Sequence, residues 1–460
     1  MHCIRTTTIL LILLGFSFHD TAKSDELLRQ KIGQMIIVGF DGTTMPESIR
    51  VDLAQRNLGG VVYLGRNCSS PAQMQSLASQ IHLSALTAPF IAVDEEGGLV
   101  ARLNQSNGFS TTYTAYQLGT LFNSPDSTAA QAARMAGWLS TNGFTTNFAP
   151  VADVNVNPQS PAIGYYGRSF SNNPLTVAQH AQSFIPEFHA RGVLTTLKHF
   201  PGHGSAGTDS HLELPDITTT WADSELIPYR TLIAANLVDM VMVGHLYNAH
   251  IDSVYPTSLS YRAISGLLRD SLGYQGVVIT DDLYAMKAIT SRYGYGQAAV
   301  LSINAGTDIL LYVWNMLNGG SLVRQLIDTI EANVQAGVIA ETRINESFER
   351  IQSLKKRFLA NNVPGAPLAA MVPEGFVLLN NFPNPFNPST VIRYQLPVAS
   401  DVRLDVFDLL GREVSVLINE RKAAGSHEVT FDGARLSSGV YICRLTAGKH
   451  LESRKMLLMK

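Results

Sequence analysis

Lys198, His199, His203, Asp209 and His211 fall within one fourteen-residue segment, directly after the apolar run Val193-Leu194-Thr195-Thr196-Leu197. These side chains donate, accept and carry protons, so the segment suits acid–base chemistry. An imidazole with an ordinary pKa of about 6.5 gives and takes a proton near neutrality. If the stretch is extended, Asp209 and His211 share one side of the chain, and the carboxylate orients and charge-stabilises the ring. Gly204 and Gly207 give the loop freedom to close over a bound molecule. A zinc site of His199, His203 and His211 is a weaker alternative, because no helix holds ligands at i, i+4 and no Glu-rich partner motif follows.

Three other segments carry groups of the same kind. Asp94-Glu95-Glu96-Gly97-Gly98, followed by Arg102, sets carboxylates beside a glycine pair that suits close approach of a ligand to backbone. Arg168, in Gly164-Tyr165-Tyr166-Gly167-Arg168, can fork onto hydroxyl or carbonyl oxygens or pair with a loop carboxylate. Asp281 and Asp282 close the run Val277–Thr280, and the alternation of a strand turns one of them inward.

These groups need a scaffold that brings distant loops together. Met35–Phe40, Gly60–Leu64, Phe90–Val93, Thr146–Ala149, Leu194–Leu197, Met240–Val243, Val277–Thr280 and Asp308–Tyr312 read as buried strands. Pro71–Leu86, Ser127–Thr141, Thr176–Ala190, Ser224–Ala235 and Ser260–Leu272 are amphipathic stretches between them. Eight strands interleaved with helices predict an α/β fold, a (β/α)8 TIM-type barrel, with its chemistry at the carboxyl ends of the strands. An open doubly wound sheet is the runner-up, but it usually stops at about five to seven strands.

The pattern K-H-F-P-G-H-G-x-x-x-x-D-S-H, with the three segments above, resembles family 3 glycoside hydrolases of the single-barrel β-N-acetylglucosaminidase (β-hexosaminidase) subgroup. The likeness spans most of residues 27–360. It implies an exo-acting, retaining hydrolase without cofactor or metal. Its substrates would be terminal N-acetyl-β-glucosaminides of chitin- or peptidoglycan-derived oligosaccharides, cleaved through a covalent glycosyl-Asp intermediate. By that likeness Asp281 is the nucleophile, His211 the acid/base and Asp209 its helper. Asp94, Arg102, Arg168, Lys198 and His199 match positions that hold the terminal sugar. The family commonly has Arg after Glu-Gly-Gly where this chain has Leu99, which bears on the polar support beneath Arg102 and on sugar preference. Preference between N-acetylglucosamine and glucose stays open, as does hydrolysis against phosphorolysis, because an imidazole does not repel an incoming phosphate as a carboxylate would.

Composition bounds the rest. With 460 residues, 45% hydrophobic and 15% charged, the chain buries a large core and should hold more than one domain. A net charge of −3 leaves no basic surplus to neutralise phosphates, which argues against nucleic acid and anionic membrane as partners. Residues 1–23 read as a signal peptide, with Arg5 before the apolar Ile9–Phe16 and a cleavage-compatible stretch containing Ala22. Cys3 precedes the apolar run, unlike an acylation site, and Cys68 and Cys443 fall in separate domains, so no disulfide is expected. No run reaches the roughly 18–20 apolar residues of a membrane span, so the mature chain should have no transmembrane segment.

The catalytic domain is expected over 24–360, a Pro/Gly/Asn-bearing linker over 361–378 and an all-β, immunoglobulin-like sandwich over 379–460. Its strand candidates are Val391–Leu396, Val402–Asp408, His427–Phe431 and Val440–Thr446. Phe-Pro-Asn-Pro-Phe-Asn-Pro-Ser-Thr, Asp-Leu-Leu-Gly-Arg-Glu-Val, Leu-Ser-Ser-Gly-Val-Tyr and the terminal Lys455–Lys460 resemble the C-terminal sorting domain of the type IX secretion system. That likeness implies the secretion machinery as partner and passage through the periplasm to the outer-membrane surface or medium. A carbohydrate-binding tail fits less well, since Phe376, Phe382, Phe386, Tyr394, Phe407, Phe431 and Tyr441 pattern as core and the tail lacks Trp. Two function classes remain: the exported glycosidase, and a surface sugar-binding protein on a disabled barrel. The presence of Asp281, Asp209 and His211 together favours the enzyme.

Overall fold

The structure is a computed structural model and describes residues 26–358, 376–379, 381, 384 and 386–459. The expected signal peptide, residues 361–375 of the expected linker, and Asn380, Phe382, Pro383 and Pro385 of the turn-dense stretch lie outside the described residues. The chain forms two compact units that divide after Asn361.

In the first unit, eight apolar runs become parallel strands: β1 Ile36–Val38, β2 Gly60–Tyr63, β3 Phe90–Val93, β4 Thr146–Asn147, β5 Leu194–Phe200, β6 Met240–Val243, β7 Val277–Thr280 and β8 Leu310–Tyr312. They neighbour one another in the order β8-β1-β2-β3-β4-β5-β6-β7. The ring closes where Thr280 N–H donates to Ile309 O at 3.0 Å and Leu283 N–H to Leu311 O at 2.9 Å. Helices α1 Glu47–Gln55, α2 Pro71–Ser84, α3 Pro125–Thr141, α4 Pro174–His189, α5 Ile227–Ala234, α6 Arg262–Ser271 (π-wound), α7 Tyr295–Ala305 and α8 Leu322–Gln335 follow the strands in turn, and α9 Glu341–Phe358 completes the unit.

The helix starts are written locally. Ser70-Pro71, Ser124-Pro125 and Asn173-Pro174 each set a capping side chain before a proline at the first helical position. The caps accept from Gln73, Ser127 and Leu175 N–H, and proline gives up an N–H that had no partner there. Side chains such as Ile36, Val61, Ile91, Met240, Ile279 and Leu310 are fully or almost fully buried in the core.

β5 runs three residues further than its apolar pattern, because Phe200 still pairs with Val243 on β6 and Lys198 bridges to Val151. Lys198 and His199 therefore lie on the strand end rather than in the loop beyond it. β4 is two residues shorter than expected, ending before Pro150, which has no N–H to continue a ladder.

The second unit is a pair of antiparallel sheets around one apolar core. One sheet holds β9 Val377–Leu378, β10 Ser389–Leu396 and β13 Gly425–Asp432. The other runs in the order β12 Glu413–Lys422, β11 Ser400–Asp408, β14 Gly439–Ala447, β15 His450–Leu458. Tyr394, Leu404, Val406, Cys443, Phe386 and Met456 meet in the core. β9 uses the last two residues of the expected linker. Cys68 and Cys443 are unpaired and buried, one in each unit. Among the described residues no helix is long and apolar enough to cross a membrane.

Candidate active site

The carboxyl ends of β3, β5 and β7, with the segments after β4, carry one connected set of charges. Lys198, on β5 and 2% exposed, donates to Asp94 Oδ1 at 2.8 Å and lies 2.7 Å from Glu96 Oε1. Arg168 grips Glu96 with two parallel bonds, Nε to Oε2 at 2.9 Å and Nη2 to Oε1 at 2.7 Å, and its Nη1 donates to Ala162 O. Arg102 reaches Asp94 Oδ2 at 3.4 Å. Burial alone would raise both carboxyls, but Lys198 and Arg102 hold Asp94 below its ordinary range, and Arg168 and Lys198 hold Glu96 far below it. Buried Lys198, half-buried Arg168 and the two carboxylates so remain charged, held in fixed orientation by one another.

A second chain of bonds starts at Asp153, buried between β4 and α4. Its Oδ2 lies 2.7 Å from His199 Nδ1, and its Oδ1 accepts the backbone N–H of His203 at 2.7 Å. The other nitrogen of His199 lies 3.4 Å from Arg168 Nη2, which links the two networks.

At the end of β7 the two aspartates separate. Asp282 is surrounded by backbone: Oδ1 accepts from Tyr284 and Val313, both at 2.9 Å, and Oδ2 from Ala285 at 2.7 Å. Asp281 points inward, its Oδ1 accepting the N–H of Asp282 at 2.8 Å. Burial pushes Asp281 up, yet His199, His245, the Asp282 N–H and His211 outweigh it and hold the carboxyl below its usual range. His245 is fixed between Ser258 Oγ at 2.7 Å and Asp282 O at 2.9 Å. Asp281 is thus an ionised carboxylate whose second oxygen accepts no backbone N–H among the described residues, with imidazoles nearby.

Asp209 and His211 do pair, Oδ1 to Nδ1 at 2.9 Å, but the stretch is not extended. It is a tight turn: Asp209 Oδ1 also accepts the His211 N–H at 2.9 Å, and Asp209 O accepts from Leu212 and Glu213. The carboxylate caps its own turn, as Asp does readily, and this brings the ring within reach two residues on. With Nδ1 turned to Asp209, Nε2 is the outward atom of a ring 62% exposed.

The glycines behave differently from their expected roles. A Cβ at Gly204 would lie 1.7 Å from Val154 O, so this residue is a point of contact, and open space surrounds Gly207 alone of the two. At Gly98, where φ is +61°, a Cβ would fall 2.4 Å from Thr114 Cγ2, so the glycine pair accommodates the protein's own backbone turn. Leu99 is 72% exposed. Arg102 is anchored by Asp94 without it. His199 is held by Asp153 and Arg168, and among the described residues no group of three or more His, Cys, Asp or Glu is arranged to hold a metal ion.

The structure thus joins Asp94, Arg102, Arg168, Lys198, His199 and Asp281 in one mouth, with the Asp209–His211 turn above it and His211 near enough to Asp281 to influence its charge. Glu96 and Asp153 belong to the same mouth and were not foreseen. Glu96 lies in the segment singled out for Asp94, but residue type alone does not tell it from Glu95, whereas Asp153, a lone carboxylate inside the apolar Ala149–Val154, is a signal available in the sequence.

An eight-stranded α/β barrel with carboxylates, imidazoles and cations converging at the carboxyl ends of its strands is the architecture of a barrel enzyme. Residues 27–354 match the glycosyl hydrolase family 3 N terminal domain, and the chain belongs to that family. It is similar to beta-hexosaminidase A of Pseudoalteromonas piscicida, 32% identical over 359 residues covering 71% of this chain and 59% of the relative. It is also similar to a beta-hexosaminidase of Tolumonas auensis, 35% identical over 284 residues covering 60% and 81%. Among solved structures, the family 3 beta-N-acetylglucosaminidase of Paenibacillus sp. FPU-7 superposes with a TM-score of 0.68 at 34% identity, covering 75% of this chain and 65% of that one. The chain therefore spans less than two thirds of the first of these relatives and of that structure. Residues 380–459 match the secretion system C-terminal sorting domain, which marks a chain for export.

Proposed function

We propose that this protein is a secreted, retaining exo-β-N-acetylglucosaminidase acting on the terminal sugar of chitin- or peptidoglycan-derived oligosaccharides. The observation that carries the reading is Asp281: a buried, ionised carboxylate among imidazoles, with the Asp209–His211 pair on a loop beside it. Asp281 attacks the anomeric carbon as the glycosidic C–O bond breaks, and His211 Nε2–H protonates the departing oxygen. Water then attacks the same carbon, gives its proton to His211, and frees Asp281 with configuration retained. Asp209 keeps the ring oriented and stabilises its charged form. Asp94, Arg102, Lys198, Arg168 and His199 bind the hydroxyls and N-acetyl group, with Glu96 and Asp153 holding three of them in place.

The similarity to beta-hexosaminidases and to a beta-N-acetylglucosaminidase supports the choice of sugar. The sorting domain supports export, with the type IX machinery as partner and the outer-membrane surface or medium as destination. The purified protein should release the aryl alcohol from an aryl N-acetyl-β-glucosaminide, and Asp281→Asn should abolish that release. Turnover that survives the substitution undiminished removes Asp281 from the mechanism. Running the assay with and without phosphate, and identifying free sugar or sugar 1-phosphate, separates hydrolysis from phosphorolysis.

A further inference from the structure

We infer that Ser210 is the clasp that holds the Asp209–His211 turn to the barrel and sets His211 against Asp281, a positioning residue for proton transfer; the inference rests on the glycosidase reading above. From Gly207 to Glu213 the chain is exposed or half-exposed at every residue except Ser210, which is buried. A small hydroxyl residue buried between exposed neighbours is there to make contacts, and Ser210 makes two.

Its Oγ lies 3.4 Å from Nε2 of His203. Its carbonyl accepts the N–H of Ala288 at 3.2 Å, in the short helical turn Lys287–Thr290 on the segment that follows Asp281. Ser210 therefore joins the loop that carries the proton donor to the segment that carries the carboxylate. The hydrogen bonds of Asp209 and His211, by contrast, stay within their own turn among the described residues.

The anchor is rigid where it needs to be. His203 is buried, its N–H donates to Asp153 Oδ1, and the adjacent Gly204 is pressed against Val154 O. Burial, helped by nearby His199, lowers its pKa to about 4, so the ring is neutral at working pH and bonds to a hydroxyl without a buried charge. Apart from the backbone of His203 itself, Ser210 Oγ is the polar partner of the ring among the described residues. When the turn lifts, a buried imidazole loses that contact, which favours the seated position. Seating matters because a misplacement of about 1 Å in a proton donor costs on the order of a hundredfold in rate.

The test is kcat/KM for two N-acetyl-β-glucosaminides, phenyl and 2,4-dinitrophenyl, measured on the full chain. Departure of phenoxide needs a proton from His211, whereas dinitrophenoxide leaves without one. Ser210→Ala should lower kcat/KM about tenfold to a hundredfold on the phenyl glycoside and by less than about threefold on the dinitrophenyl one. Ser210→Thr, which keeps the hydroxyl, should stay near wild type on both, and His203→Gln should reproduce the selective loss. If Ser210→Ala does not fold, Ser210→Cys takes its place. Wild-type rates in the alanine variant, or an equal loss on both glycosides, overturn the clasp while leaving the glycosidase reading intact. A wild-type protein inert toward both glycosides overturns that reading and the clasp with it.

Discussion

The backbone N–H of Asp282 donates to Asp281 Oδ1 at 2.8 Å, and the two carboxyls then enter opposite environments. Asp281 keeps its charge among imidazoles, while burial pushes Asp282 up to about 6 against the pull of three backbone N–H groups. Two aspartates sharing a peptide bond are thereby split into one for chemistry and one for structure. Asp281→Asn should lower kcat by on the order of a thousandfold or more with an unchanged melting temperature, because it removes a nucleophile and no packing. Asp282→Asn should do the reverse, costing about 1–3 kcal/mol of stability as backbone donors lose acceptors. Its kcat should fall far less than that of Asp281→Asn. Steady-state kinetics and thermal unfolding on both variants decide the assignment.

Glu95 offers a pH test. Its Oε2 accepts the N–H groups of Arg102 and Leu103, its Oε1 has no partner among the described residues, and burial raises its pKa to about 8. In the unfolded chain the same group ionises near 4.5. Between those values the folded state holds a proton that the unfolded state has released, so this group makes stability fall as pH rises from about 4.5 to about 8. Glu95→Gln, which keeps the acceptor oxygen and cannot ionise, should match wild type near pH 4 and exceed its melting temperature increasingly up to pH 8. A difference that is flat with pH shows that Glu95 does not titrate in this range.

What was legible in the sequence follows burial and local chemistry. β3, β6 and β7 coincide with their apolar runs because a parallel strand covered on both faces is apolar throughout. α7 has a weak periodic signal because, of its buried residues Ala298, Ala299, Ser302, Ile303 and Ala305, only Ile303 is large. β12 and β15 were missed for another reason: both are edge strands of their sheet, and their outward positions carry Glu, Arg and Lys, as exposed edges do. In the site, Asp94, Lys198, Asp209, His211 and Asp281 stood out by residue type. The partnership of Glu96 with Arg168 and the bond between Asp153 and His199 depend on contacts between segments far apart in the chain, which no local pattern encodes, whereas the Asp209–His211 turn is local, an Asp capping its own turn where an extended stretch was expected.

The Glu96–Arg168 pair predicts a binding defect. Arg168 has its Nε and Nη2 committed to one carboxylate, and Lys198 shares that carboxylate. Glu96→Gln removes the charge and one half of the fork, leaving Lys198 with Asp94 as its close counter-charge and Arg168 with the more distant Asp153 and Asp94. Arg168 should lose its fixed orientation, raising KM about tenfold or more, and the protein should lose about 3–5 kcal/mol of stability. Glu96→Asp, which keeps the charge at a shorter reach, should recover stability more than KM. Equal KM values for wild type and both variants exclude Arg168 from sugar binding.

The last prediction concerns the other end of the barrel, where function should be untouched. Asp308, just before β8, is fully buried beneath three arginines: Oδ2 accepts from Arg269 at 2.7 Å, and Oδ1 from Arg343 at 2.6 Å and Arg350 at 3.2 Å. Its carboxylate also takes the Ser347 hydroxyl and the Val278 N–H, so α6, β7 and α9 all converge on one side chain. Asp308→Asn keeps the size and removes the charge that three guanidinium groups share, stranding Arg269 in a site 9% exposed. The expected cost is about 3–5 kcal/mol, read as a lower guanidinium midpoint with an unchanged slope. Because the residue sits at the amino-terminal end of its strand, the fraction that remains folded should turn over at the wild-type kcat. The exposed pair Glu47–Arg50 is the internal control: Glu47→Gln removes an ion pair held in solvent, and its midpoint should not move. A kcat that falls in step with stability in Asp308→Asn would mean that the two ends of the barrel are coupled through β7 and β8, the strands that close the ring.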